Sequence, residues 1–175
     1  KVGVAAGLCL GDPDISAVTR IAGLPAVSQV IELAHAGVGV SPTSKTVFNS
    51  QNTAFIRELA PAMFLMPGVW RYDDIWASLI CQRVMRERGY HVHFGRPYIW
   101  QSRNPHNLMR DLKDELLGME HTVEFASILD GAVLSGYSVA SDVDQLIDQF
   151  AQAPWVPTQS VEAYYRWLED VEKII

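Results

Sequence analysis

The stretch Asp73-Asp74-Ile75-Trp76-Ala77-Ser78-Leu79-Ile80-Cys81-Gln82-Arg83-Val84-Met85-Arg86-Glu87-Arg88-Gly89, followed at once by Tyr90-His91-Val92-His93-Phe94, decides the fold class. Ile75, Trp76, Leu79, Ile80 and Val84 recur at helical spacing, so residues 73–88 are predicted as an amphipathic helix. Asp73 or Asp74 caps it and sets negative charge against the positive end of the helix dipole. Arg86 and Arg88 complement the other end, and Gly89 is a good stop. The period then changes to two, and residues 90–94 read as a strand. A helix feeding directly into a strand points to an α/β chain.

Working outward, Gly95-Arg96-Pro97 separates that strand from a second short one at Tyr98-Ile99-Trp100. Asn104-Pro105 is a helix-start signal, a capping residue followed by proline at the first helical position. The helix it opens carries Leu108, Leu112 and Leu116 on one face and is expected to end at Gly118. Further helical patterns cover residues 119–129, 142–150 and 159–174, with Pro154 and Pro157 dividing the last two. Toward the N-terminus the pattern is weaker. Residues 27–36 fit helix or strand, residues 46–48 a short strand, and residues 53–59 a short helix that Pro61 disturbs. Leu8-Cys9-Leu10 reads as a buried strand, and Gly11-Asp12-Pro13-Asp14 as a turn with Asp14 or Ser16 capping a short helix. The chain thus divides into a mixed α/β front, 1–118, and a helical rear, 119–175, around a single core.

Charge narrows the function classes. Twenty acidic residues against 14 Lys and Arg give a formal charge of −6, the wrong sign for a duplex nucleic-acid binder, which needs clustered cations on phosphate. It still allows a local basic pocket for a diphosphate. With 49 % apolar residues the chain can bury a core, yet no stretch reaches the roughly 18 apolar residues of a membrane span. Cys9 and Cys81 belong to no Cys-x-x-Cys pair and read as small hydrophobes in a reducing, cytoplasmic setting, a long-range disulfide being the other reading. No charged leader precedes the first strand-like residues, and an opening inside a strand reads as that of a fragment.

Trp70-Arg71-Tyr72-Asp73-Asp74-Ile75-Trp76 is the segment richest in chemistry. It sets adjacent carboxylates at a loop-to-helix junction, where one can face a ligand and accept a proton from, or hydrogen-bond to, a hydroxyl. The plainer reading is a capping Asp, a surface Asp and two packing Trp. Asn49-Ser50-Gln51-Asn52 offers groups suited to hydroxyl recognition or to turn bonding. His91 and His93 share a strand face, a spacing able to chelate a metal, but no other ligand lies near in sequence and a solvent-facing pair is the better account. Residues 101–107, with Arg103 and His106, suit either an anion at a helix start or a simple cap. Tyr164, Tyr165 and Trp167 fit a helix packed on a core. Phosphate-loop, dinucleotide, zinc and nucleophile-elbow motifs do not occur.

Several of these segments, in this order, resemble the reversibly glycosylated polypeptides, also known as UDP-arabinopyranose mutases. The similar elements are Asn52-Thr-Ala-Phe-Ile-Arg-Glu58, Arg71-Tyr-Asp-Asp-Ile-Trp-Ala77, Gly95-Arg-Pro-Tyr-Ile-Trp100, Asn104-Pro105 with Leu112-Lys113, and the tail from Pro157 to Trp167. Arg103-Asn-Pro-His-Asn-Leu108 is nearer to the related STELLO-type glycosyltransferase-like proteins. The resemblance implies the acceptor-side, C-terminal part of a GT-A-like fold handling a UDP-sugar with a divalent cation, Mn or Mg. It implies Asp73 and Asp74 as catalytic residues, and Asn52, Arg71, Trp76, Arg103 and His106 as substrate-binding residues. No metal ligand is assigned, since the family's Asp-x-Asp loop is not identifiable here and neither is its glycosylated Arg. Gln101 stands where the mutases have a His. The expectation is therefore a glycosyltransferase or mutase acting as part of a longer chain, inactive as this piece alone and a weak binder of UDP-sugars. The alternatives are a non-catalytic subunit or assembly module that keeps the fold, and a free-standing domain of unrelated function. An opening strand, residues 2–10, without native neighbours would also favour a homo-oligomer.

Overall fold

The computed structural model describes residues 1–23 and 36–174. Strands β1 (Val2–Gly11), β2 (Val38–Gly39), β3 (Thr53–Phe55) and β4 (His91–Gln101) form one mixed sheet in the spatial order β2-β4-β1-β3. β1 and β4 run parallel, while β3 is antiparallel to β1 and β2 to β4. The helices that build the core and the site are α1 (Ala17–Ile21), α2 (Asp73–Glu87), α3 (Leu108–Gly131), α4 (Val139–Phe150) and α5 (Thr158–Glu172). Parallel neighbours need a long crossover, and α2 lies on the path from β1 to β4.

α2 is the centre of the molecule. Every residue from Trp76 to Met85 is buried, including Ser78, Gln82 and Arg83, so the apolar stripe read from sequence understates its burial. A helix covered all round must satisfy its polar groups internally. Ser78 and Gln82 donate to the carbonyls of Ile75 and Ser78. Arg83 reaches across to the end of α3, donating to the carbonyls of Leu129 (2.9 Å) and Ala132 (2.7 Å). Those carbonyls lie at the negative pole of α3, where a guanidinium is stabilising. On one side α2 packs on Val4, Ala6 and Val92 of the sheet; on the other it meets Phe125, Val143, Ile147 and Phe150. Tyr164 is fully buried and Trp167 stacks on Phe64, as a core role for that aromatic group requires.

Several expectations need correction. The opening strand is not left without neighbours: β1 lies between β3 and β4, with β3 pairing along residues 4–6. The two strands expected around Gly95-Arg96-Pro97 are one. Between Gly7↔Gly95 and Cys9↔Ile99 the register shifts, so that β4 accommodates extra residues in a bulge. Pro97 lacks an N–H, and a bulge is where a strand tolerates it. The helices expected to divide at Gly118 are a single helix, α3. Its cap is Asn107, whose side chain accepts from the Arg110 N–H at 3.1 Å, rather than Asn104. Residues 53–55 pair as β3, and a 3₁₀ turn, Arg57–Ala62, takes in Pro61. Residues 46–48 form no strand. Ser16 does cap α1, accepting from the Thr19 N–H. The ambiguous segment 27–36 lies, except for its last residue, outside the described residues. No helix among the described residues is long and apolar enough to cross a membrane.

Candidate functional site

A 3₁₀ turn, Trp70–Tyr72, runs directly into α2, so that Asp73 and Asp74 occupy its first turn. Trp70 has φ 60, the single positive-φ non-glycine among the described residues. Beside this turn opens a cleft of about 440 Å³. One wall is Asp14, Ile15 and Ser16, ahead of α1; another is Val47, Phe48 and Asn49; Arg71, Tyr72, Asp74 and Ile75 line the α2 side, with Glu115 and Thr122 from α3.

Asp74 faces this cleft and accepts hydrogen bonds from the Ser50 N–H (3.0 Å) and hydroxyl (3.3 Å), which holds the 49–52 loop against α2. Asp73 does not line the cleft. Its Oδ1 accepts from the Asp74 N–H at 2.7 Å. Burial raises its pKa, and the neighbouring Asp74 charge adds to the effect against the opposing backbone hydrogen bonds. Arg71 lies between two carboxylates: Nε donates to Glu115 Oε1 at 2.9 Å, and Nη2 stands 3.5 Å from Asp14 Oδ1. Burial alone would lower its pKa, but the hydrogen bond to Glu115 and the charges of Asp111, Asp14 and Glu115 raise it. The Tyr72 hydroxyl is likewise pushed up by burial and by Glu115. Arg103 completes the group, donating from Nη1 to Asp14 Oδ1 at 2.5 Å.

The remaining residues singled out from sequence lie elsewhere. Asn52 is not in this cleft. It lines a second cavity of about 660 Å³ with Gly7, His93, Arg96 and Tyr98. There its side-chain amide donates to the Leu8 carbonyl (3.0 Å) and its own carbonyl accepts from the Gly7 N–H (2.7 Å). Asn49 holds the cleft position expected of Asn52, because the pairing of β3 with β1 carries Asn52 toward the sheet. Trp76 is 0 % exposed and stacks on Phe125 at 4.4 Å. Its indole N–H donates to Thr122 at 2.9 Å, so it backs the cleft rather than lining it. His106 Nδ1 lies 3.0 Å from Asp111 Oδ2, outside the cleft lining.

Asp14 and Glu115 were not foreseen. Asp14 reads in sequence as a turn residue, and Glu115 as one charge among several on a Leu-rich helix. The available signal was periodic: Glu115, Gly118 and Thr122 share one face of α3, a small or polar stripe beside the leucines. Among the described residues no group of three or more His, Cys, Asp and Glu is placed to hold a metal ion; Asp14, Asp74 and Glu115 are engaged by arginines, Ser50 and the Ala17 N–H.

The fold and cleft thus define an α/β protein with a carboxylate–guanidinium site at the start of its central helix. A family model described as "Reversibly glycosylated polypeptide" matches residues 1–168, and the chain belongs to that family. A probable UDP-arabinopyranose mutase 1 from Pisum sativum is 33 % identical to it over 138 residues, covering 75 % of this chain and 37 % of the relative. The chain therefore spans little more than a third of the length of the curated relative it matches.

Proposed function

We propose that this chain supplies the sugar-facing half of a UDP-sugar mutase or glycosyltransferase with a GT-A-like fold. The observation that carries the reading is the joining of Asp74, Arg71, Asp14 and Glu115 in one cleft at the start of α2. Carboxylates fixed by backbone and guanidinium donors present lone pairs to hydroxyl groups, the chemistry of sugar recognition. Asp74 would accept from a sugar hydroxyl. Asp73, outside the cleft lining, would support it by accepting from the Asp74 N–H. Arg71 and Arg103 would lie toward the diphosphate, and the parallel β1–β4 pair with its α2 crossover supports the GT-A-like assignment. The two free thiols, Cys9 and Cys81, suit a reducing, cytoplasmic compartment.

A second reading, a non-catalytic assembly module, is favoured by the cleft carboxylates being internally satisfied. It is favoured also by Gln101, whose buried side-chain oxygen has no hydrogen-bond partner among the described residues. Saturation-transfer NMR with millimolar UDP-arabinopyranose separates the two. Stronger saturation of the arabinopyranose than of the uracil and ribose protons, lost in Asp74→Asn, is the expected result. Equal saturation of all three would place the nucleotide site within these residues, and no transfer would favour the assembly module.

A further inference from the structure

We infer that Glu115 is a positioning residue, which sets Arg71 and the Asp14 wall of the cleft relative to each other; the inference rests on the sugar-cleft reading above. Glu115 is 2 % exposed, and a buried carboxylate is tolerated only where donors surround it. It has donors from two separate segments. The Ala17 N–H lies 2.8 Å from one oxygen and 3.1 Å from the other, and Arg71 Nε donates at 2.9 Å. Ala17 begins α1 directly after the Asp14–Ser16 wall, whereas Arg71 precedes the Asp73–Asp74 pair. One side chain therefore fixes both sides of the opening.

The contact is part of a longer alignment. Three residues beyond Glu115, Gly118 receives Tyr72 so closely that an added Cβ would stand 1.9 Å from the Tyr72 Cγ. Thr122, four residues further, accepts from the Trp76 indole. Positions 115, 118 and 122 lie on one face of α3 by helical spacing and meet residues 71, 72 and 76 in order. α3 is thus the surface against which the turn carrying the carboxylates is set. With Nε held by Glu115, Nη2 is directed toward Asp14 at 3.5 Å, which is a matter of aim rather than of charge.

The test separates this role from a merely structural one and from the cleft reading. The Arg71 Nε–H cross-peak, assigned by its loss in Arg71→Lys, is expected to be protected from water exchange in the unaltered chain. In Glu115→Gln it should shift and exchange at least tenfold faster, because the amide can still accept from Ala17 but no longer offers a charged acceptor to Nε. Saturation transfer to the arabinopyranose ring of UDP-arabinopyranose should fall several-fold in Glu115→Gln and fall no further when Arg71→Lys is added. An unchanged cross-peak, or losses that add in the double variant, would overturn the positioning role. Absence of transfer to the unaltered chain overturns the cleft reading and this role with it, and is read before any variant is compared. If Glu115→Gln has no cooperative thermal transition, Glu115→Asp, which withdraws the carboxylate by one methylene, takes its place with the same expected outcomes.

Discussion

The cleft beside Asp74 and the cavity around Asn52 differ in charge and in how their walls are held. The cleft at the start of α2 has Asp14, Asp74 and Glu115 against Arg71 in its lining. The larger cavity around Asn52 has Arg96 and His93 and, among the described residues, no carboxylate. The first is held by ion pairs and buried hydrogen bonds between helices and the turns that precede them. The second is bounded by strands and by glycines that let side chains approach the backbone. The contrast teaches that the first cleft sets three carboxylates against one guanidinium in its lining, so its charges are largely paired within the protein, whereas the second leaves its polar groups to strand and loop backbone.

The largest expected effect falls on the cleft. Gly118→Ala would drive a methyl into the Tyr72 ring, and neither a helix backbone nor a packed ring yields easily. A loss of about 3 kcal/mol is expected, at the upper end of overpacking effects, read by chemical denaturation. Resonances of the Asn52 cavity should hold their positions; coupled shifts there would break the separation of the two sites. The mirror change, Gly7→Ala, should disturb only the other cavity. Its Cβ would stand 2.1 Å from Asn52 Nδ2, but a side-chain amide can turn aside. The expected cost is about 1 kcal/mol, near that of one hydrogen bond, with the Asp74–Ser50 contact intact by NMR.

Trp70 offers a test in the opposite direction. Its left-handed backbone costs roughly 1 kcal/mol for a residue with a Cβ, and it is 64 % exposed. Trp70→Gly is therefore expected to raise the melting temperature by a few degrees. A decrease would mean that the covered part of the indole contributes more than the strain costs.

The smallest effect is a pH dependence. The folded state raises the Asp73 pKa above its ordinary value of 3.8, so the folded protein binds this proton more tightly than the unfolded chain. The contribution is fully present below 3.8 and declines as the pH rises through the higher folded value. Asp73→Asn should flatten that decline in a stability–pH profile, whereas Asp74→Asn should not reproduce the change. An unaltered profile would show that Asp73 is no more desolvated than an ordinary first-turn carboxylate.

Much of this was legible before any coordinates. The helix from Asp73 and the strand from His91 announce themselves by period, since covering one face of an element repeats at a fixed interval along the chain. The last two helices follow from the same logic, and so does the core role of Tyr164. What misled was punctuation. Gly118 looks like a helix stop because glycine is permissive, yet it is there for the closeness of Tyr72. Asn104-Pro105 looks like a helix start, yet Asn107 makes the cap bond.

By itself, the sequence determined the α/β class, the family, and the junction that holds Asp73 and Asp74, because each depends on neighbours along the chain. Only the tertiary structure decided which carboxylate faces a cleft, that Asn49 and not Asn52 lies beside it, and that Asp14, Arg71, Arg103 and Glu115 belong together. Those residues come from segments far apart in sequence. Their partnership follows from the parallel pairing of β1 with β4 and from α3 lying across the start of α2. A buried charge leaves no local signature: Glu115 reads like any helical glutamate until the donors from Ala17 and Arg71 close around it.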